Sequence, residues 1–275
     1  MATKAPNPSN CLRETTEDGI SRPRSHNVPY WCLLIDFEAK SAEQLLEWAI
    51  VHSGDRFAIL TSFQAEGMVV LDIAARINPA IRVITLDTER LPAETHQMIA
   101  TVQSRYRTNV EIVSPDPEEV SSMTNRFGPD LFYEGHAQRN LCCEVRKIRP
   151  LAKKLASVDV YAVGLRHQQS DTRRHVLKAE ELDGRTKLSP LADWTREAVW
   201  RYIRDHDVPV HPLYASGYTS IGCAPCTRAV QPGDDERAGR WWWENDNVKE
   251  CGIHFSIAGK AQRTVDVLLA EVLAR

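Results

Sequence analysis

Four of the seven cysteines in this 275-residue chain fall into two close pairs. Cys142 and Cys143 are adjacent in LCCEVRKIRPL, and Cys223 and Cys226 form a CxxC further along. Thiolates are soft ligands, and two paired sets of them are a metal-site signature. If the tandem pair is helical, its side chains diverge by about 100°. Tetrahedral zinc, with bonds of about 2.3 Å, wants its sulfurs under about 4 Å apart. A cubane cluster bonds each thiolate through a different iron, so its ligands spread wider. This geometry favours an iron–sulfur cluster over zinc, with zinc still open. A redox CxxC is a third reading, but it leaves the tandem pair unexplained.

Cys251 stands alone in KECGIH, near the C-terminus. A nucleophilic cysteine must meet its substrate as thiolate and then meet a second partner, so exposure and mobility help it. Gly252 offers flexibility; Lys249 and His254 offer positive charge, and Glu250 opposes them. Cys11 and Cys32 lie apart from any motif and receive no chemistry.

These residues need a frame to position them. Ser41 and Gln44 have the form of a capping box, followed by Leu45, Leu46, Trp48, Ala49 and Ile50 on an amphipathic helix. The apolar runs at 56–62, 81–86, 109–113 and 158–164 predict strands. Helices are predicted at 67–77, 92–106 and 195–207. Apolar strands alternating with helices predict a single-domain α/β fold with a doubly wound, mostly parallel sheet. In such sheets ligands bind at the carboxyl ends of the strands. The segments 62–67, 87–90 and 166–174, and the cysteine segments beyond, fall at or near strand ends, which puts the chemistry on one edge of the sheet. The expected organisation is an N-terminal mobile arm over 1–30, the α/β domain over 31–244, and a tail over 245–275 carrying Cys251.

Composition narrows the class. With 43% hydrophobic and 26% charged residues the chain reads as an ordinary globular protein, and its net charge of -3 argues against a generic nucleic-acid binder. No apolar run approaches the ~20 residues of a membrane span. The N-terminal stretch, with Lys4, Glu14, Glu17 and Asp18, lacks the apolar core of a secretion signal. A cytoplasmic, reducing location is expected. There an odd cysteine count points to metal or redox chemistry rather than to disulfides.

The motifs SFQAEG, LDTER, LCCEVRK, GLRHQQSDTR, GCAPCTR, GRWWWE and ECGIH follow one another in order. By them the chain resembles the adenosine 5′-phosphosulfate (APS) reductases of bacterial sulfate assimilation, from about residue 40 to about 257. The resemblance implies an adenine-nucleotide alpha-hydrolase-like fold and a 4Fe–4S cluster on Cys142, Cys143, Cys223 and Cys226. It implies that Cys251 attacks the sulfur of APS, that AMP leaves, and that thioredoxin or glutaredoxin releases sulfite from the resulting S-sulfocysteine.

APS is anionic at phosphate and sulfate and needs cations and backbone donors. Arg166 matches a substrate-binding arginine of the family. Arg237 and Arg240, three apart on an expected helix, match a basic pair near the phosphosulfate. Arg173 and Arg174 are weaker candidates. Lys147 lies four residues past Cys143, so on the same face of a helix, where it could join cluster sulfur to substrate. Ser62, Phe63 and Gln64 open a strand-to-helix loop whose N–H groups suit a phosphate or ribose. Leu86, Asp87 and Thr88 are expected to border the adenosine, and His254 is a further substrate contact. Trp241–Trp243 are read as packing residues.

Three alternatives have distinct signatures. An ATP-pyrophosphatase of the same fold needs a glycine-rich SGGxDS loop, where this chain has SFQAEG with Glu66 opposing a triphosphate. A 3′-phospho-APS (PAPS) reductase generally lacks both cysteine pairs, although dual specificity is compatible with them. A structural zinc protein explains the pairs but not Cys251 or the arginines. A homo-oligomer is left open, because the apolar positions of the C-terminal helix suit either the core or a second subunit.

Overall fold

The computed structural model describes residues 35–244, 250 and 259–274 (259–263 as backbone only), with the backbone of 14–15 and 21–22. Of the expected N-terminal arm, β1 (Glu14–Thr15) pairs antiparallel with β2 (Ser21–Arg22), and the rest lies outside the described residues. Helix α1 (Ala42–Ser53) begins with the predicted capping box. Gln44 N–H donates to Ser41 Oγ at 3.2 Å, and Ser41 N–H donates to Gln44 Oε1 at 2.9 Å.

Strands β3 (Phe57–Leu60), β4 (Val83–Leu86), β5 (Val110–Val113) and β6 (Val160–Ala162) fall inside the predicted apolar runs, shorter by one to four residues. Helices α2 (Ala65–Ile77), α3 (Ala93–Tyr106) and α7 (Arg196–Asp205) likewise coincide with predicted ones. The sheet has six strands in the order β5-β4-β3-β6-β8-β7. The pairs β3–β4, β3–β6 and β6–β8 are parallel. The chain leaves β3 for β4 on one side and later returns to β6 on the other, so the switch point lies between β3 and β6. All four residues of β3 are buried, as a central parallel strand requires. The pattern did not foretell the edge hairpin of β7 (Ala179–Leu182) and β8 (Arg185–Leu188), which turns through Asp183 and Gly184 at φ 51° and 73°.

The residues form two compact units. The first holds residues through Ile84, Ala100–Val110 and Ser157–Val210. Its helices meet at the buried Asp72 carboxylate, which accepts from Arg76 Nε at 2.7 Å, Tyr202 OH at 2.9 Å and Tyr106 OH at 3.1 Å. The second holds Thr85–Ile99, Glu111–Ala156 and the chain from His211 onward. Its helices are α4 (Pro117–Phe127), α5 (His136–Cys143), α6 (Arg149–Leu155) and α8 (Gly259–Leu273). Its core gathers Met123, Leu131, Phe132, Leu141, Val145 and Trp241 around three of the paired cysteines. Helix α8 joins that core through Val272, whose carbonyl accepts from Ser122 Oγ at 2.7 Å. The C-terminal helix thus packs on its own unit. Among the described residues no helix is long and apolar enough to cross a membrane.

Gly164, just past β6, shows how tightly the chain there approaches the first turn of α2. A Cβ there would sit 2.5 Å from Gly67 N and 2.8 Å from Glu66 Cβ. Gly164→Ala should therefore destabilise the protein by about 1–3 kcal/mol through overpacking. The midpoint of urea unfolding measures this, and a midpoint equal to wild type would show that the chain at Gly164 moves freely away from α2.

Candidate active site

At the carboxyl end of β3 the first unit makes the strand-to-helix loop that the sequence predicts. Phe63 takes φ 58° with its ring fully buried, and its N–H donates to Thr61 Oγ1 at 2.9 Å. A left-handed conformation in so bulky a residue persists only where the surroundings over-determine it. Gln64 precedes α2 in extended conformation, and its Nε2 donates to Ser62 Oγ at 2.9 Å.

Glu66 and Arg166 meet in this unit as a buried pair, Nε to Oε1 at 2.7 Å, with side chains 8% and 0% exposed. The expectation that Glu66 opposes a polyphosphate is thereby corrected, because the guanidinium beside it answers its charge. Arg166, expected to face substrate, commits its Nε to this carboxylate. Its loop is organised by Gln169, whose Oε1 accepts from Arg166 N–H at 3.1 Å and from Arg173 Nη1 at 2.7 Å. Arg173 is thus held within the loop, while Arg174 is a surface residue paired with Asp171.

In the second unit the two cysteine pairs come together. Cys142 and Cys143 end α5, and Cys223 and Cys226 bracket a 3₁₀ turn. All four are buried, and they line one pocket with Arg90, Phe132, Arg139, Arg146, Lys147 and Pro225. Burial, then the neighbouring Cys143 and Cys223, push the Cys142 thiol up to about 12. Burial and Cys223 do the same to Cys226, also to about 12. Burial also works against ionising Cys223. Lys147, a hydrogen bond from Thr88 and Arg240 together outweigh it and hold that thiol below its ordinary value. The donor set is all sulfur and mutually repulsive when ionised, inside a basic lining, which suits a thiolate-ligated metal group. Among the described residues, no three His, Cys, Asp or Glu side chains are arranged to hold a single metal ion.

Two expectations about this pocket change in detail. Lys147 does reach the cysteines, but not along an α-helical face. The helix widens to a π-turn over Glu144–Ile148, directly after Cys143. Pro150 supplies the reason: it has no N–H, and its ring clashes with the carbonyl four residues earlier, at Arg146. Thr88, expected beside an adenosine, turns its buried hydroxyl to Cys223 Sγ at 3.1 Å. Leu86 ends β4, and Asp87 accepts from its own loop at Glu89 N–H (2.8 Å) while its other oxygen meets His96 Nε2 at 2.9 Å.

Arg237 and Arg240 are buried and share a partner, Ser220 Oγ, each at 3.5 Å. Neither lies on the expected helix: Arg237 is on a turn, and Arg240 forms an isolated bridge with Thr227 beside the CxxC. Gly222 leaves room for the Arg240 guanidinium, which a Cβ would strike. Trp241 is fully buried between Arg240 and Arg139, whose guanidinium carbons lie 4.6 and 4.5 Å from its ring centre. Arg139 was not singled out by sequence. It binds Glu244 Oε1 through Nε at 2.5 Å and the Glu250 carbonyl through Nη1 at 3.1 Å. Its place three residues before Cys142, one helical turn away, is the signal that could have found it. Cys251, His254 and Lys249, like Cys11 and Cys32, lie outside the described residues.

Comparison with known proteins adds the following. Residues 56–229 match the phosphoadenosine phosphosulfate reductase domain family. A protein from Allochromatium vinosum named adenosine 5′-phosphosulfate reductase is 48% identical over 203 residues, covering 73% of this chain and 79% of the relative. One of the same name from Burkholderia cepacia is 43% identical over 204 residues, covering 74% and 82%. The crystal structure of a phosphoadenylyl-sulfate reductase from Candida auris superposes with a TM-score of 0.61. At 24% identity, over 75% of this chain and all of that one, it establishes the likeness of fold.

The buried Arg166–Glu66 pair yields a test of its own. Arg166→Met should destabilise the protein by about 3–5 kcal/mol, because it strands a carboxylate in the interior. The double variant with Glu66→Gln should recover part of that loss. Urea unfolding of the four proteins measures both, and an additive double variant would show that the two side chains are not coupled.

Proposed function

The chain belongs to the phosphoadenosine phosphosulfate reductase family, and from that premise we propose that it reduces APS to sulfite and AMP. This oxidoreductase activity serves assimilatory sulfate reduction and cysteine biosynthesis in the cytoplasm. One observation carries the reading beyond family membership: two cysteine pairs far apart in sequence line one buried, basic pocket with Lys147. That arrangement, together with the relatives named APS reductase, supports APS over PAPS as substrate.

Cys142, Cys143, Cys223 and Cys226 would hold a 4Fe–4S cluster, which when bound would have an electrostatic and structural role without changing redox state. Lys147, Arg237 and Arg240 place fixed positive charge for the anionic end of APS, where phosphate must leave as a dianion. The Cys251 thiolate attacks the sulfur of APS. A bond forms between the two sulfurs, the bond from sulfate sulfur to bridging oxygen breaks, and its electron pair leaves with AMP. The product is S-sulfocysteine at Cys251. A thiolate of thioredoxin or glutaredoxin then attacks the Cys251 sulfur and expels sulfite. Its second thiol closes the partner's disulfide and returns Cys251 as thiol, so two electrons pass from dithiol to sulfur. Arg166 acts through Glu66 and Gln169 to hold the loop after β6. Ser62, Phe63, Gln64, Leu86, Asp87 and His254 stay proposed nucleotide contacts on the strength of their motifs.

Two variants separate metal binding from chemistry. Cys226→Ser should abolish the broad absorption near ~400 nm expected of thiolate-bound iron, with iron analysis falling from about four per chain. Cys251→Ser should keep the colour and bind APS yet release no sulfite, because serine supplies no anionic nucleophile at neutral pH. Wild-type protein given APS without thiol should gain one SO₃ by intact mass, mapped to Cys251. A colourless active protein, or an adduct on Cys223 or Cys226, would overturn the assignment. Parallel assays with PAPS set the specificity.

A further inference from the structure

Within the second unit, the turn that follows β4 is tied to both cysteine segments. Asp87 N–H donates to Val113 O at 2.9 Å, and Asp87 Oδ1 accepts from Glu89 N–H at 2.8 Å. The Thr88 hydroxyl lies 3.1 Å from Cys223 Sγ. The Arg90 carbonyl accepts from Ala224 N–H, inside the CxxC, at 2.8 Å. Glu89 takes φ 59°, a left-handed conformation that a residue other than glycine keeps only where its surroundings hold it.

On the other side of this turn stands Arg146, to which the reading above gives no task. Its Nη1 donates to the Thr88 carbonyl at 2.8 Å and lies 3.1 Å from Glu89 Oε2. Its Nε is buried and has no hydrogen-bond partner among the described residues. A buried donor left unpaired is costly, so stability alone does not account for an arginine at this position. The π-turn over Glu144–Ile148 is what places it. There Arg146 and Lys147 are both buried, although successive residues of an α-helix point about 100° apart. Lys147 serves the cysteines, and Arg146 grips the turn. Threonine is stiff at χ1, so the placing of its backbone decides where its hydroxyl points. A metal-bound thiolate carries no proton, which makes the Thr88 hydroxyl the donor to Cys223 sulfur.

We propose that Arg146 is a positioning residue: by holding the Thr88 carbonyl and the Glu89 carboxylate it fixes the hydroxyl of Thr88 on Cys223. It thereby links the helix of the tandem pair to the CxxC pair as one preformed site. The proposal rests on the reading of the four cysteines as cluster ligands. Outer partners of this kind orient and tune the ligands they touch. Positioning and plain charge have different consequences. Lysine at 146 would keep the positive charge but lack the rigid guanidinium fork that meets two oxygens at once.

The test uses cluster-loaded full-length protein in wild type, Arg146→Met, Arg146→Lys, Thr88→Val and the double variant Arg146→Met with Thr88→Val. Resonance Raman spectra in H₂O and D₂O read the hydrogen bonds on sulfur through the deuterium shift of the iron–sulfur stretches. Bleaching of the absorption near ~400 nm by a ferrous-iron chelator reads how firmly the iron is held. Thr88→Val should remove part of the deuterium shift, and Arg146→Met and Arg146→Lys should each remove that same part. Both Arg146→Met and Thr88→Val should lose iron about tenfold faster than wild type, the scale on which outer partners act on metal affinity. The double variant should lose iron no faster than either single one, since both changes break one contact. A wild-type deuterium shift in Arg146→Met would overturn the proposal, as would wild-type behaviour of Arg146→Lys or additive iron loss in the double variant. Arg146→Lys decides the matter should Arg146→Met fail to fold or to load. If wild-type protein holds no iron, the cluster reading has failed instead. Crystal structures of wild type and Arg146→Met then decide the positioning alone. The Thr88 hydroxyl should leave hydrogen-bonding distance of Cys223 in the variant, and a contact kept there would overturn it.

Discussion

Sulfur taken out of water and crowded against other sulfur must be answered by positive charge. The second unit is built around that constraint. Cys142 and Cys226 are pushed up to about 12 by burial and by one another's neighbours. Cys223 goes the other way because Lys147, Thr88 and Arg240 converge on it. Each converging group then imposes a local condition. Lys147 needs the π-turn that Pro150 provokes, and Arg240 needs the bare backbone of Gly222. Trp241 becomes a buried plate between two guanidinium groups, a use of aromatic surface that favours arginine over lysine.

Buried arginine–carboxylate pairs recur as a means of setting a guanidinium in place. Glu66 holds Arg166 in the first unit, while Glu244 holds Arg139 and Glu250 meets Arg237 in the second. A buried pair contributes little net stability, since desolvation offsets attraction, but removing one partner is severe. Such pairs therefore specify orientation more than they stabilise. They also decide which arginines retain charge for a ligand. Arg166 spends its Nε on an internal carboxylate, whereas Arg240 keeps to neutral oxygens at Ser220 and Ile221.

The alternation of strands and helices was legible because buried strands need continuous apolar residues and helices need a periodic face. The hairpin of β7 and β8 was missed although Asp183-Gly184 is a two-residue turn signal, because Glu180, Glu181 and Lys187 obscure the apolar pattern. The π-turn went unread because widening depends on how a proline is accommodated inside a helix whose ends are already packed. Arg237 and Arg240 were correctly read as neighbours but placed on the wrong element, since spacing by three suits a helix and a chain of turns alike.

The amino-acid sequence by itself determined the grouping of the cysteines, the strand-to-helix loops and the family, because residue types in order carry that information. Only the tertiary structure decided which charge meets which. It turned Thr88 to sulfur, bound Glu66 to Arg166, and put Arg139 and Glu250 into the same cluster. Those outcomes depend on which side chains lose their water together, and burial is a property of packing that no single position in the chain encodes.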